Sequence, residues 1–228
     1  MNFFRRVEQK YVLSEKEYLK LLDLINNHIE KDKYFESTVC NLYFDTDNDD
    51  LIIKSLEKPK FKQKIRLRSY NVPNLDSKVF LELKGKYKGV VFKRRIKLKL
   101  NEFYDYLYND NKLNDSQVMQ EIDYMFKSYD LKPKLFLAYD RHSYYDKDDN
   151  TFRITFDTNL RSRVDNLKLD YGDEGKLYSD CKFYIMELKS LKGIPLWFSN
   201  ILSDLKIYSR SFSKYGNIYR KMKEDVYV

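Results

Sequence analysis

Glycine, proline, histidine and cysteine are all scarce in this chain, at 6, 4, 2 and 2 of 228 residues. So few glycines and prolines leave no hinge-rich linker, and no internal repeat or low-complexity segment interrupts the sequence. One domain over 1–228 is the expectation. Two cysteines exclude a disulfide framework, and without a CxxC pair they offer no zinc knuckle. Cys40 and Cys181 each stand beside apolar residues and read as reduced core thiols. Two histidines give no H-E-x-x-H. His28 reads as a solvated residue at a helix end, and His142 as a structural residue that breaks a strand. The G-x-x-x-x-G-K-[ST] phosphate loop is absent too, and Gly85-Lys86-Tyr87-Lys88-Gly89 reads as a hairpin turn. Nothing points to Ser-His-Asp chemistry. No stretch approaches the ~20 apolar residues of a membrane span. Met1–Arg6 runs directly into charged sequence, so no secretory apolar region is predicted. The expectation is a cytoplasmic chain, with any membrane attachment supplied by a membrane protein encoded separately.

What is abundant is charge and tyrosine. Lys and Arg number 43 against 35 Asp and Glu, a net +8 that favours an anionic partner, and 21 tyrosines suit a β-rich domain. The charge is patterned. Lys64–Arg68, Phe80–Lys84, Lys93–Lys97, Tyr139–Arg141, Arg153–Asp157 and Glu187–Lys189 alternate charged or polar residues with apolar ones, the mark of strands with two unlike faces. The same alternation puts Glu8 and Lys10 on one face of a first strand. Arg66 pairs with Arg68 on its face, Glu82 with Lys84, Lys93 with Arg95, and Glu187 with Lys189. The intervening Ile65, Leu67, Leu81, Leu83, Ile154, Phe156, Met186 and Leu188 need helices to cover them. The core then lies outside the sheet and the charged face inside it. A closed sheet of about eight strands has room for side chains and one ligand. Guanidinium forks match phosphate oxygens, and carboxylates among them can hold Mg²⁺ or Mn²⁺. The fold expected is α+β, an eight-stranded antiparallel β-barrel with helices packed on its outside. Nucleic acid is not the expected partner, because an exterior basic patch would be its footprint and these arginines read as inward.

Strands are predicted at Phe4–Leu13, Val39–Asp45, Phe61–Tyr70, Lys78–Lys86, Val90–Leu100, Leu135–His142, Thr151–Asn159 and Tyr184–Ser190. A capping box at Ser14 and Glu17 opens a helix with Tyr18, Leu21, Leu22 and Ile25 in phase. Asp47–Asp50 reads as a turn and helix start, and Asn101–Asn109 and Asp115–Tyr129 read as helices. The last helix is expected from Pro195, with Trp197, Ile201 and Leu205 on its apolar face.

At Glu8–Tyr11, Asn41–Thr46, Lys64–Tyr70, Phe80–Lys84, Gly89–Arg95, Tyr139–Arg141, Phe152–Asp157, Met186–Lys189 and Ser211–Tyr215 the chain resembles, in order and over nearly its whole length, the VTC domain. That is the polyphosphate polymerase domain of the vacuolar transporter chaperone family, within the CYTH-like triphosphate tunnel metalloenzymes. The resemblance implies an eight-stranded tunnel that binds ATP or another nucleoside triphosphate. It implies an ATP:polyphosphate phosphotransferase that moves the γ-phosphate to inorganic polyphosphate with Mn²⁺ or Mg²⁺. Carried over, Arg66, Arg68, Lys84, Lys93, Arg141 and Arg153 resemble the basic triphosphate ligands, and Glu187 the metal-binding glutamate. Tyr139, Ser213 and Lys214 resemble further phosphate contacts. Lys10, Arg95 and Lys189 join the basic face, and Glu8 and Glu82 the carboxylates available to a metal. Whether Lys93 or Arg94 faces inward depends on the absence of a bulge. The alternatives are a tunnel triphosphatase and a non-catalytic polyphosphate- or nucleotide-binding module. Against the triphosphatase, the Glu-x-Glu-x-Lys of bacterial CYTH proteins here reads Arg6-Val7-Glu8-Gln9-Lys10, with its first glutamate replaced.

Overall fold

The computed structural model of the chain describes residues 7–88, 90–111 and 113–226. Phe4–Arg6 of the predicted first strand and Gly89 of the predicted hairpin turn lie outside them. The elements in order are β1 (Val7–Ser14), α1 (Glu15–Ile25), β2 (Ile29–Asp45), α2 (Asp50–Leu56), β3 (Phe61–Tyr70), β4 (Lys78–Tyr87) and β5 (Val90–Lys99). There follow α3 (Leu100–Asn109), α4 (Gln117–Tyr129), β6 (Lys132–Asp146), β7 (Arg153–Arg163), β8 (Lys176–Leu177), β9 (Phe183–Ser190), α5 (Leu196–Asp204) and α6 (Lys214–Val226). The strands hydrogen-bond in the order β1-β9-β7-β6-β2-β3-β4-β5, with β8 on β7. The α+β class and the antiparallel sheet are as expected. The path has two ends, β1 and β5, so among the described residues hydrogen bonds do not close it into a barrel.

The chain divides into two compact units. One holds residues 7–37, Tyr139–Leu160 and Leu177–Lys214; the other holds Thr38–Ala138, Arg161–Lys176 and the chain from Tyr215. In the first, Ser14 and Glu17 form the predicted capping box and α1 buries Tyr18, Leu21 and Ile25. These pack with Phe198 and Leu202 of α5 on the apolar side of β1, β7 and β9, namely Tyr11, Leu13, Ile154, Phe156, Met186 and Leu188. In the second unit, Phe103 and Tyr106 of α3 and Met119, Ile122, Met125 and Phe126 of α4 cover Ile65, Leu67, Leu81 and Leu83. Each such side chain contributes ~1.5–3 kcal/mol by leaving water. In both units helices bury the apolar strand face and leave the charged one opposite.

Several expectations need correction. β2 reaches back to Ile29, because its first half is exposed and densely charged and hides the strand period. Cys40 is buried, but Cys181 is exposed in a polar loop and is no core thiol. His142 does not break its strand. It lies within β6, stacked 5.0 Å from Phe35 and 3.6 Å from the Glu36 carboxylate. His28 is exposed as expected, with its ring stacked 4.2 Å from Trp197. In α5 the buried residues are Phe198 and Leu202, one position on from the predicted phase. A further helix, α6, follows it.

Candidate functional site

In the second unit the charged face is built on unbroken antiparallel registers. Three rows run across the strands. Lys64, Lys84 and Lys93 stand opposite one another; next come Tyr43, Arg66, Glu82 and Arg95; then Asn41, Arg68, Phe80 and Lys97. No bulge interrupts β5, so Lys93 shares the face of Glu82, and Arg94 lies on the other face, 3.3 Å from Glu121 of α4. Glu82 is 1% exposed. Its Oε2 accepts from Arg66 Nε at 2.9 Å and lies 2.7 Å from Arg66 Nη2, and its Oε1 is ion-paired with Lys93 Nζ at 2.5 Å. Burial raises its pKa, but Arg66, Arg68 and Lys93 outweigh that and hold it at about 2. Arg68 is buried, and its Nε donates to Asn41 Oδ1 at 2.9 Å. The Arg95 guanidinium lies 4.6 Å over the Phe80 ring. Lys84 has no ion-pair partner among the described residues. Three lysines abreast set like charges side by side across adjacent strands, with Glu82 in the next row meeting Lys93.

In the first unit the rows are Glu8, Lys189 and Arg153; Lys10, Glu187 and Thr155; and Val12, Ile185 and Asp157. Asp157 is fully buried. Arg141 grips it through Nε and Nη2 at 2.6 and 2.8 Å, and Lys214 Nζ reaches it at 2.6 Å. Burial raises the Asp157 pKa, but Arg141 and Lys214 outweigh it and bring it to about 2. Tyr139 supplies a π-face 4.4 Å from Lys214 Nζ and 5.3 Å from the Arg141 guanidinium. Ser213 immediately precedes Lys214 and is half-buried. Lys189 Nζ lies 2.9 Å from Glu187, and Arg141 lies 3.9 Å from it. Burial of Glu187 is overcome by Lys189 and Lys10, which hold its carboxyl well below the usual range. Lys10 Nζ also donates to the Phe212 carbonyl at 3.4 Å. Arg153 is the outlier, largely exposed and 3.8 Å from Asp32.

The predicted residues thus fall into two sets. Arg66, Arg68, Glu82, Lys84, Lys93 and Arg95 share one face. Glu8, Lys10, Tyr139, Arg141, Glu187, Lys189 and Lys214 share the other, with Arg153 at its margin. Of the three carboxylates expected at a metal, Glu82 is taken up by Arg66 and Lys93. Glu8 and Glu187 stand on the same face of the paired strands β1 and β9, one row apart. Two adjacent carboxylates fit Mg²⁺ or Mn²⁺, which complete their shell with phosphate oxygens and water. Among the described residues no third His, Cys, Asp or Glu joins them. Sequence reading missed Asp157, although it continues the alternation from Arg153 through Thr155. It also missed Tyr43, whose signal was the polar period of Asn41, Tyr43 and Asp45 within an apolar strand.

A sequence profile of the VTC domain matches residues 5–223. No curated protein matches the sequence. Among solved structures, the fold resembles that of a candidate adenylate cyclase from Bacillus halodurans, with a TM-score of 0.56, 15% identity, and coverage of 91% of this chain and 93% of that one. It also resembles that of HpAC1, a candidate adenylyl cyclase from Hippeastrum with a dominant triphosphatase activity. There the TM-score is 0.55 and the identity 16%, with 95% of each chain covered. At this identity the likeness shows the fold, which is CYTH-like.

Proposed function

Since this chain belongs to the VTC domain family, we propose that it is a polyphosphate polymerase, transferring the γ-phosphate of ATP or another nucleoside triphosphate to a growing polyphosphate chain. The observation that carries this reading is the row of Lys64, Lys84 and Lys93 beside Arg66 and Arg68, five cations gathered on one face around the buried Glu82. Such a face suits a ligand with several closely spaced negative charges. Phosphoryl transfer asks mainly for positioning and for relief of charge on the equatorial oxygens. Arginine forks and lysines supply both. The acceptor, a terminal phosphate, is already anionic and needs no general base. Glu8 and Glu187 would hold a divalent ion, which when bound polarises the phosphoryl group. Lys189 and Lys10 keep Glu187 ionised and ready for it.

A second reading is hydrolysis of inorganic or nucleoside triphosphate, favoured by the dominant triphosphatase activity of the Hippeastrum protein that shares this fold. Incubation with γ-labelled ATP and Mn²⁺, with and without a short polyphosphate primer, separates the readings. A labelled ladder with ADP supports the polymerase. Free phosphate without a ladder supports the triphosphatase, and nucleotide binding without turnover supports a binding module. No described helix is long and apolar enough to cross a membrane. Under the polymerase reading, a separately encoded membrane partner would receive the product.

A further inference from the structure

Tyr43 belongs to no expected ligand set, yet it stands at the centre of the second unit's charged face. It is 4% exposed and lies opposite Arg66 in the β2–β3 ladder. Arg66 Nη1 donates to its phenol oxygen at 3.1 Å. Its ring stacks on Tyr215 of α6 with centroids 4.5 Å apart, and the Tyr215 hydroxyl donates to Asp45 at 3.2 Å. Among the described residues the Tyr43 oxygen has no acceptor for its own proton. Lys64 and Arg68 flank Arg66 on the same face of β3, and the charge of all three acts on Tyr43. α6 offers the neutral Tyr215, whose phenol is pushed well up by burial and Asp45, with Asp49 behind it. On β4, Glu82 sits on the far side of Arg66. A buried phenol that only accepts, under the charge of three cations, is in the surroundings of an anion.

We propose that Tyr43 is the resident anion of the Arg66 site: its phenolate holds the guanidinium while the face is empty and takes a proton from solvent when a phosphate oxygen replaces it. The proposal rests on the reading of Arg66 and its neighbours as triphosphate ligands, and adds to it a positioning residue and a coupled proton. The balance is simple. The phenolate oxygen gains H⁺ and becomes a phenol, and Arg66 exchanges one anionic acceptor for another. Burial pushes the Tyr43 phenol up, but Arg66, Lys64 and Arg68 outweigh it and bring it down to about 7. Above that pH the group is largely ionised. A bound phosphate would cancel the cations and add like charge, so its pKa would rise and a proton would be taken up.

The test uses the full chain and inorganic tripolyphosphate. At about pH 8 the tyrosinate ultraviolet band of the free protein should exceed that of Tyr43→Phe by one group. Saturating tripolyphosphate should remove that excess. Calorimetry in two buffers should find close to one more proton taken up by the wild type than by the variant. A band that survives saturation, or equal uptake in the two proteins, would overturn the proposal while leaving the triphosphate reading intact. No binding to either protein would overturn both. The titration of the unmutated protein needs no variant, so a misfolded Tyr43→Phe does not remove the test.

Discussion

Glu82 stands directly opposite Arg66 in the β3–β4 ladder, where its Oε2 accepts from Nε and lies 2.7 Å from Nη2. Lys93 closes on the remaining oxygen from the next strand. This carboxylate therefore sets the position of two cations at once. Removing one partner of a buried ion pair leaves the other uncompensated, so Glu82→Gln should lower stability by about 3 kcal/mol. Tripolyphosphate should recover part of that loss by neutralising the stranded cations. Thermal melts with and without it check both points, and the ligand-induced rise should be larger in the variant than in the wild type.

The phase of β5 makes a sharper contrast. Lys93 faces Glu82, whereas its neighbour Arg94 faces α4 and Glu121. Lys93→Ala should weaken triphosphate binding by about 10- to 100-fold, the range for a hydrogen bond to a charged group. Arg94→Ala should leave binding within about twofold, as expected for a half-exposed ion pair. Titration calorimetry on the two variants checks the register. A loss at Arg94 with none at Lys93 would mean that the ligand uses the other face.

This is also where the sequence was most legible. Alternation in Lys64–Arg68, Phe80–Lys84 and Lys93–Lys97 identified the strands, their apolar sides and the side chains that share a face, because a period of two is a local property. The rows across strands were not legible. That Lys64, Lys84 and Lys93 stand abreast depends on register, which non-local pairing sets. Asp157 stood in an alternating charged stretch without a role of its own, because Arg141 and Lys214, which close on it, come from other elements that a local period does not bring together. The helix α6 was hidden by its polar composition. Its buried Tyr215 and Ile218 form a narrow stripe among lysines and acids.

The two buried carboxylates also set the response to acid. Both Glu82 and Asp157 fall to about 2 in the folded protein from ordinary values of 4.5 and 3.8. Depressed folded pKa values stabilise above the unfolded value and lose that contribution as pH falls through the folded one. The loss should therefore run from about pH 4.5 to about pH 2, on the order of 2–3 kcal/mol per group. Urea unfolding at several pH values across this window checks it. Asp157→Asn should flatten the dependence, although the variant starts from a lower stability.

Loss of Arg66 should act on turnover more than on nucleotide affinity if its fork stabilises charge that develops during transfer. Arg66→Ala should then reduce transfer by about 10²- to 10³-fold, with a smaller change in KM. Single-turnover kinetics with labelled ATP separate the two. An equal loss in binding and rate would assign Arg66 to ground-state binding alone.

Glu8 and Glu187 lie on paired strands, on one face and one row apart. Lys10 and Lys189 neutralise much of their charge, with Lys189 2.9 Å from Glu187. A divalent ion must compete with these lysines, so metal binding without phosphate should be weak. Triphosphate draws lysines to its own oxygens and supplies ligands to the metal, so the two should bind with mutual reinforcement. Mn²⁺ paramagnetic resonance should show little bound metal in the free protein and a clear increase beyond that of tripolyphosphate alone once both are present. Glu187→Gln should abolish the increase, and Glu8→Gln should reduce it by about tenfold, the low end for loss of a metal-site interaction. If the double variant binds Mn²⁺ with tripolyphosphate as the wild type does, the ion is held by the phosphates alone and the carboxylate pair has another role.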